Sequence, residues 1–396
     1  MKILIAAASF ASNMSGLQRH ALNVARCLLP EPEISSLCLV IAPWQRNFLQ
    51  AEDFHQNARI EIHIAEMDRS SISRNLWYYR RLPELAVRLR ADLVHLSYPM
   101  PVNATAFRCP TLVTLHDLYP YEVPMNFGFP KFIFNRMVLQ QCLRNVDAIA
   151  CVSETTRLRL RQYAPIAARQ KAVRIYNCVE AEPVSNVQPP VPILRGERFL
   201  LCVAQHRRNK NIPLLVRAFS RMLRAGDVVS NMKLVIIGIA GPETRKIHRL
   251  VATLGLGPRV RFLEGVSESE LQWCYMRCEA VVSPSFTEGF GLPIVEALLA
   301  GCRIVCSDIP AFREVGDGQC RFVALDESAE ETLAVAIVAA LNEPKGSPRT
   351  LEQFSAPVLA KQYISLYRRL ITSAVFTGNA AVDASLNATA SGRLPL

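Results

Sequence analysis

No uninterrupted apolar run in this 396-residue chain reaches the ~18–20 residues that cross a bilayer, so a membrane-spanning helix is not expected. The twelve cysteines include no Cys-x-x-Cys pair. Cys274/Cys278 and Cys302/Cys306 are each separated by three residues within apolar patterns, which lack the clustered spacing of a zinc finger. The thiols therefore read as reduced core residues of a cytoplasmic protein. No Gly-x-Gly-x-x-Gly follows the first apolar strand. The stretch Ser12–His20 holds Gly16 alone, which argues against a nicotinamide dinucleotide. No Asp-x-Asp pair offers carboxylates to a divalent ion. Acidic residues are also scarce, at 34 against 45 Lys+Arg, leaving a net charge of +11. Residues 1–178 hold 21 Lys+Arg against 13 Asp+Glu, and the remainder 24 against 21, so the excess sits in the first half. Such a half suits an anionic lipid surface, nucleic acid or an anionic acceptor, or serves solubility alone.

The chain is too long for one ordinary core and suits two domains. Short apolar strands alternate with helix-length patterns, the signature of parallel sheets with crossover helices. The first series is Lys2–Ala7, Leu37–Ala42, Ile60–Ala65, Leu93–Leu96, Thr111–Leu115, Ala148–Val152 and Val173–Tyr176. The second is Phe199–Ala204, Lys233–Gly238, Val260–Leu263, Ala280–Val282, Arg303–Cys306 and Arg321–Val323. Met1–Ala8 mimics a signal peptide, but its smooth continuation into an amphipathic helix reads as a first buried strand. Four prolines between Glu180 and Pro192 mark a linker. The expected division is 1–179, a linker 180–196, a second domain 197–350, a closing amphipathic helix 351–371 with apolar Phe354, Val358, Tyr363 and Leu366, and a disordered tail 372–396.

The most informative string is Ser283–Ala297, which reads Ser-Pro-Ser-Phe-Thr-Glu-Gly-Phe-Gly-Leu-Pro-Ile-Val-Glu-Ala. It follows a strand, passes through a glycine loop, and enters a helix with Pro293 at its first position. Loop amides and the positive helix end suit a phosphate, and Gly289 and Gly291 let backbone approach a ligand. Glu288 and Glu296 then face the two ends of that ligand, in the layout of a sugar, two phosphates and a ribose. The basic loop Gln205–Asn211 adds Arg207, Arg208 and Lys210 at the end of another strand. Fixed cations there can hold a diphosphate.

This Glu-x7-Glu string resembles the donor motif of the family 4 glycosyltransferases, of the glycosyl transferases group 1 type, and the resemblance covers roughly residues 1–371. It implies an α/β GT-B fold, in which two doubly wound Rossmann-like domains face a cleft and a C-terminal helix returns to the first domain. The implied reaction is retaining transfer of a hexosyl group from a nucleotide diphosphate-sugar, UDP- or GDP-linked, to an acceptor hydroxyl. Bacterial polysaccharide or glycolipid assembly is the expected setting, with a carbohydrate or lipid-linked acceptor and no nucleic acid. The donor is a substrate, and neither cofactor nor metal is implied. By the same resemblance Lys210 and an Arg, Arg207 ahead of Arg208, neutralise the leaving diphosphate. Glu296 holds the ribose and Glu288 positions the donor sugar. His116, in Thr-Leu-His-Asp at a strand end, approaches that sugar across the cleft. Gly16, Gly238, Phe290 and Leu292 complete the donor set with Gly289 and Gly291. Asp117 either orients the His116 ring or begins the next turn, and Ser153 caps a helix. Cys178 stands where the family has glycine.

Two mixed aromatic and basic segments, Arg74–Leu82 and Phe127–Phe134, read either as buried helix faces or as a surface for a lipid-linked acceptor and an anionic membrane. A peripheral place at the inner membrane face would follow from the second reading. The rivals are a noncatalytic nucleotide-binding scaffold of the same fold and a sugar-nucleotide epimerase.

Overall fold

The computed structural model describes residues 1–10, 16–49, 54, 57–180, 189–190, 194, 196–229, 231–316 and 318–390. Ser12–Ser15 of the first loop, most of the linker and residues 391–396 lie outside these. Side chains past residue 374 do so as well.

All thirteen expected strands form. β1 (Lys2–Ala6), β2 (Ser36–Ile41), β3 (Ile60–Ile64), β4 (Leu93–Leu96), β5 (Thr111–Leu115), β6 (Ala148–Cys151) and β7 (Ala172–Arg174) make one parallel sheet in the order β3-β2-β1-β4-β5-β6-β7. β8 (Phe199–Val203), β9 (Lys233–Ile237), β10 (Val260–Leu263), β11 (Ala280–Ser283), β12 (Ile304–Ser307) and β13 (Arg321–Val323) make a second, in the order β10-β9-β8-β11-β12-β13. The near-continuous apolar runs are explained by burial on both faces: Ile3, Leu4, Ile5 and Ala6 are all buried, as are Leu234–Ile237. Winding reverses beside β1 and beside β8, so each sheet opens a crevice at the carboxyl ends of those strands.

The helices that matter below are α1 (Gly16–Leu28), α2 (Lys131–Asn145), α3 (Glu154–Tyr163), α4 (Ile212–Ala225), α5 (Glu268–Arg277), α6 (Leu292–Leu299), α7 (Pro310–Gly316) and α8 (Ala356–Ala390). α8 returns to the first sheet. Its Leu359, Ala360, Tyr363, Ile364, Leu366 and Tyr367 share one apolar cluster with Ile3, Ile5 and Leu28.

The closing helix differs from the expected 351–371 at both ends. It starts at Ala356, after a separate turn at Glu352–Phe354, and runs on to Ala390 through an alanine-rich stretch that favours helix. Its buried stripe is shifted as well. Val358 is half-buried beside the fully buried Leu359, and Phe354 packs elsewhere, against Tyr176 and Phe290. That wedge belongs to an apolar cluster that also takes in Val152, Val179 and Ile294, so both halves contribute to it. Burying one such ring is worth about 1.5–3 kcal/mol.

Cys178 needs no glycine-like backbone: Arg90 and Asn211 are the non-glycine residues with positive φ among those described. All twelve cysteines are unpaired thiols, buried or half-buried. Among the described residues no helix is long and apolar enough to cross a membrane.

Candidate active site

The carboxyl ends of the two sheets face each other, and the Glu-x7-Glu string lies between them. β11 ends at Ser283, the loop follows, and Gly291 adopts φ +105°, which a side chain would resist, to start α6. Pro293 falls at the second helical position. Glu296 lies beyond the first turn of the helix. Gly289 explains itself by contact: a Cβ there would stand 1.7 Å from the His116 carbonyl oxygen of the other half.

Glu288 is buried and held from three directions. Lys210 Nζ donates to its Oε1 at 2.6 Å, and Ser285 Oγ donates to the same oxygen at 2.7 Å. Tyr119, from the first half, donates its phenol to Oε2 at 3.1 Å. Burial and the neighbouring carboxylate keep the Tyr119 phenol well above its ordinary range, so it stays protonated as the donor. Lys210 reaches this point from a short turn, Arg208–Lys210, that ends on Asn211 in the left-handed region, which Asn tolerates.

Glu296 accepts from Tyr275 at 2.6 Å and from Arg19 at 3.2 Å. Tyr275 is presented by α5, whose start is fixed by a Ser267/Glu270 capping box. Arg19, on α1 of the other sheet, also pairs with Glu268. Gly16 lies at the same crossing, where a Cβ would touch Leu292 at 3.9 Å. No sequence pattern marks the reach of Arg19 to Glu296.

His116 donates through Nε2 to the Ser97 carbonyl, 2.9 Å away, and meets His20 edge to face with centroids 4.6 Å apart. Burial pulls its pKa down to about 4, so the ring is neutral at neutral pH and Nε2–H donates to Ser97. Asp117 does not orient it: its Oδ1 accepts from the Tyr119 amide at 3.0 Å, which begins the next turn. Burial pushes Asp117 up to about 6, against the opposing charge of Arg207.

The two arginines separate here. Arg207 is close enough to act on Asp117 within the cleft. Arg208 is exposed and lines a different opening of about 500 Å³ with Glu122, Tyr163 and Phe286. Phe290 turns its ring into the core against Tyr176 and Phe354, so only its backbone is left for a ligand. Gly238 follows β9, and a Cβ there would stand 2.0 Å from the Ala204 carbonyl, a packing reason sufficient for glycine.

Sequence reasoning passed over the residues that bridge the cleft. Arg159 of α3 donates to Thr287 Oγ1 at 2.7 Å and to the Glu288 carbonyl at 3.1 Å, and pairs with Glu122 at 3.2 Å. Ser153 caps α3 as expected, through Thr156 N at 2.9 Å, and its hydroxyl also donates to the Gly289 carbonyl. Glu314 of α7 accepts from the Glu154 amide at 2.6 Å and from the Thr155 amide at 2.8 Å. It thus serves as an anion at the start of α3 from the opposite half. In sequence these look like ordinary surface charges on short helices.

The description "Glycosyltransferase Family 4" matches residues 14–183, and "Glycosyl transferases group 1" matches residues 186–355. The chain belongs to the family 4 glycosyltransferases. Among relatives of this glycosyltransferase, the O-antigen chain mannosyltransferase RfbU of Salmonella typhimurium is 26% identical over 233 residues, covering 59% of this chain and 60% of that protein. The O-antigen chain mannosyltransferase B of Escherichia coli is 25% identical over 335 residues, covering 80% of this chain and 84% of that protein. Anabaena HepE, solved in complex with UDP and glucose, superposes with a TM-score of 0.63 at 17% identity, over 97% of this chain and 100% of that one. The glycosyltransferase therefore has the GT-B fold: two parallel Rossmann-like sheets, with the C-terminal helix packed against α1.

Proposed function

We propose that this glycosyltransferase moves a hexosyl group, of the mannose type, from a UDP- or GDP-sugar to a carbohydrate or lipid-linked acceptor in bacterial polysaccharide or glycolipid assembly, with retention at the anomeric carbon. The relatives named above act on O-antigen chains, and HepE was solved with UDP. The carrying observation is Glu288, buried and fixed by Lys210, Ser285 and Tyr119, in a loop whose Gly289 abuts the His116 carbonyl. A carboxylate pinned this way, in a loop held against the opposite half, is a rigid seat for sugar hydroxyls.

In this reading residues 197–350 hold the donor and residues 1–179 face the acceptor. The bond from the anomeric carbon to the diphosphate breaks and negative charge grows on the departing oxygens. Lys210 has donors to spare beyond Glu288, and Arg207 has no ion-pair partner among the described residues. Both are assigned to the diphosphate, with the amides of Gly289, Phe290, Gly291 and Leu292 at the α6 end. The acceptor oxygen bonds to the same carbon on the same face, and its proton leaves with the diphosphate. Glu296 takes the ribose hydroxyls, while Arg19 keeps Glu268 as partner. His116 contacts the sugar.

The test is a thermal-shift titration with UDP, GDP and ADP, run beside Glu296→Gln. A ligand selective for the native state adds about 2.7 kcal/mol at one hundred times its dissociation constant. A shift with one nucleotide, lost in the variant, supports the site and names the donor class. No shift in a folded sample overturns it.

A further inference from the structure

The two aromatic and basic segments of the first half have different fates. In Arg74–Leu82, Trp77, Tyr78 and Leu82 are buried, and Tyr78 donates to the Ala8 carbonyl at 2.9 Å, so that segment is mainly structural. The stretch from Met125 to Met137 does the reverse. Phe129 is 82% exposed, Met125 67% and Met137 64%, with Ile133 and Phe134 also exposed. Ile133 and Phe134 stand four and three residues before Met137 on α2, and Phe129 precedes the helix. α2 buries its opposite side through Leu139, Cys142 and Leu143. This is an amphipathic helix with a second, outward apolar stripe, and no described residue covers it.

Its charge says what does. Residues 123–146 contain no Asp or Glu, and carry Lys131, Arg136 and Arg144. Lys171 adds a fourth cation at the far end, where its Nζ donates to the Arg144 and Val146 carbonyls. Arg136 lies over Phe132 and Tyr121, 5.1 and 4.9 Å from the ring centroids. The flanking carboxylates are engaged elsewhere, Glu122 with Arg159 and Asp147 with the Thr111 amide and hydroxyl. Apolar side chains with cations among them match the interface of an anionic bilayer, where rings enter the headgroup layer and the cations meet phosphates. A protein partner with an apolar face would gain nothing from an all-cationic rim unless it were acidic. The stripe also adjoins the cleft: Asn126, next to Met125, donates to Asn209 at 2.9 Å and accepts from the Arg208 amide at 3.2 Å.

We propose that Met125, Phe129, Ile133, Phe134 and Met137 form a docking surface for an anionic phospholipid bilayer, bringing the cleft to the lipid surface. This deepens the reading that the acceptor is lipid-linked and rests on it only for its purpose. The experiment is co-sedimentation of the full chain with vesicles of phosphatidylcholine alone and of phosphatidylcholine mixed with phosphatidylglycerol. It is run for the wild type and for the triple variant Phe129→Ser/Phe134→Ser/Met137→Ser, with sedimentation velocity on both. All three residues are exposed, so the variant is expected to fold, and its nucleotide thermal shift should match the wild type. Expected is binding to the mixed vesicles only, weakened by salt and lowered roughly ten-fold or more by the substitutions. Equal binding by wild type and variant, or none by either, overturns the proposal. So does a wild-type dimer that the variant turns into monomer, because a second copy would then own the surface. Vesicle binding without any nucleotide shift would leave the docking surface standing and strike the donor site instead.

Discussion

Glu288 draws its three donors from three places: its own loop, the strand-end loop carrying Lys210, and the opposite half through Tyr119. Glu288→Gln should abolish transfer while leaving nucleotide affinity nearly intact, as read by initial rates and nucleotide titration; full activity would remove Glu288 from the chemistry. Tyr119→Phe deletes one hydrogen bond to a charged group, worth about 1.5–3 kcal/mol. The expected result is a fall in kcat of roughly ten- to a hundred-fold with KM for the donor little changed. A purely structural Tyr119 would instead lower stability and spare kcat. The motif glutamates, Lys210 and His116 were legible in sequence because they follow strand ends in short, unusual strings. Tyr119, Arg159 and Glu314 were not, because their partners lie 169, 128 and 160 positions away and no local pattern marks them.

At the scale of elements, α3 is shared property. Ser153 caps it from its own chain segment, and Glu314 supplies a carboxylate to its first amides from α7 of the other half. Such an anion at a helix start contributes roughly 0.3–2 kcal/mol, and here it acts only when the halves are together. Glu314→Gln should therefore favour an open arrangement: a larger radius of gyration in solution scattering and slower transfer, with nucleotide affinity preserved. Unchanged scattering and turnover would show that Glu314 is a bystander. The strands were easy to place because each is a largely apolar run of three to six residues ended by polar loop chemistry. The closing helix was harder. Tyr363 and Leu366 were found, but the stripe they belong to is set by the groove between α1 and β1, which sequence periodicity does not show.

Across the whole molecule, buried imidazoles set the response to acid. Burial lowers His116 to about 4; burial and then the neighbouring His116 lower His95 to about 3; His20 is lowered as well. Free imidazole titrates near 6.5, so on acidification the unfolded chain takes up these protons before the folded one does. Stability is then full above about pH 6.5 and is lost progressively down to about pH 3. Asp117 acts in the opposite sense, since burial raises its folded pKa to about 6 and lets the native state bind its proton first. Burial raises Glu122 as well, but it also lowers His63 and His206, so five histidines outweigh two carboxyls and urea midpoints should fall steadily from about pH 7 to about pH 4. A flat or rising profile would contradict the buried, neutral histidines.

The return of α8 has a consequence for how the protein is made. The face of the first sheet that carries Ile3 and Ile5, together with Leu28 of α1, is covered by Leu359–Tyr367, and His95 of that sheet bonds the Tyr367 hydroxyl at 2.8 Å. A ribosome adding about 5–20 residues per second emits the second sheet before it emits this cover. For something like ten to forty seconds, the earliest-built half of the molecule waits with an open apolar flank. The first domain to be translated is thus the last to be finished, and that interval is when a nascent chain most needs a chaperone.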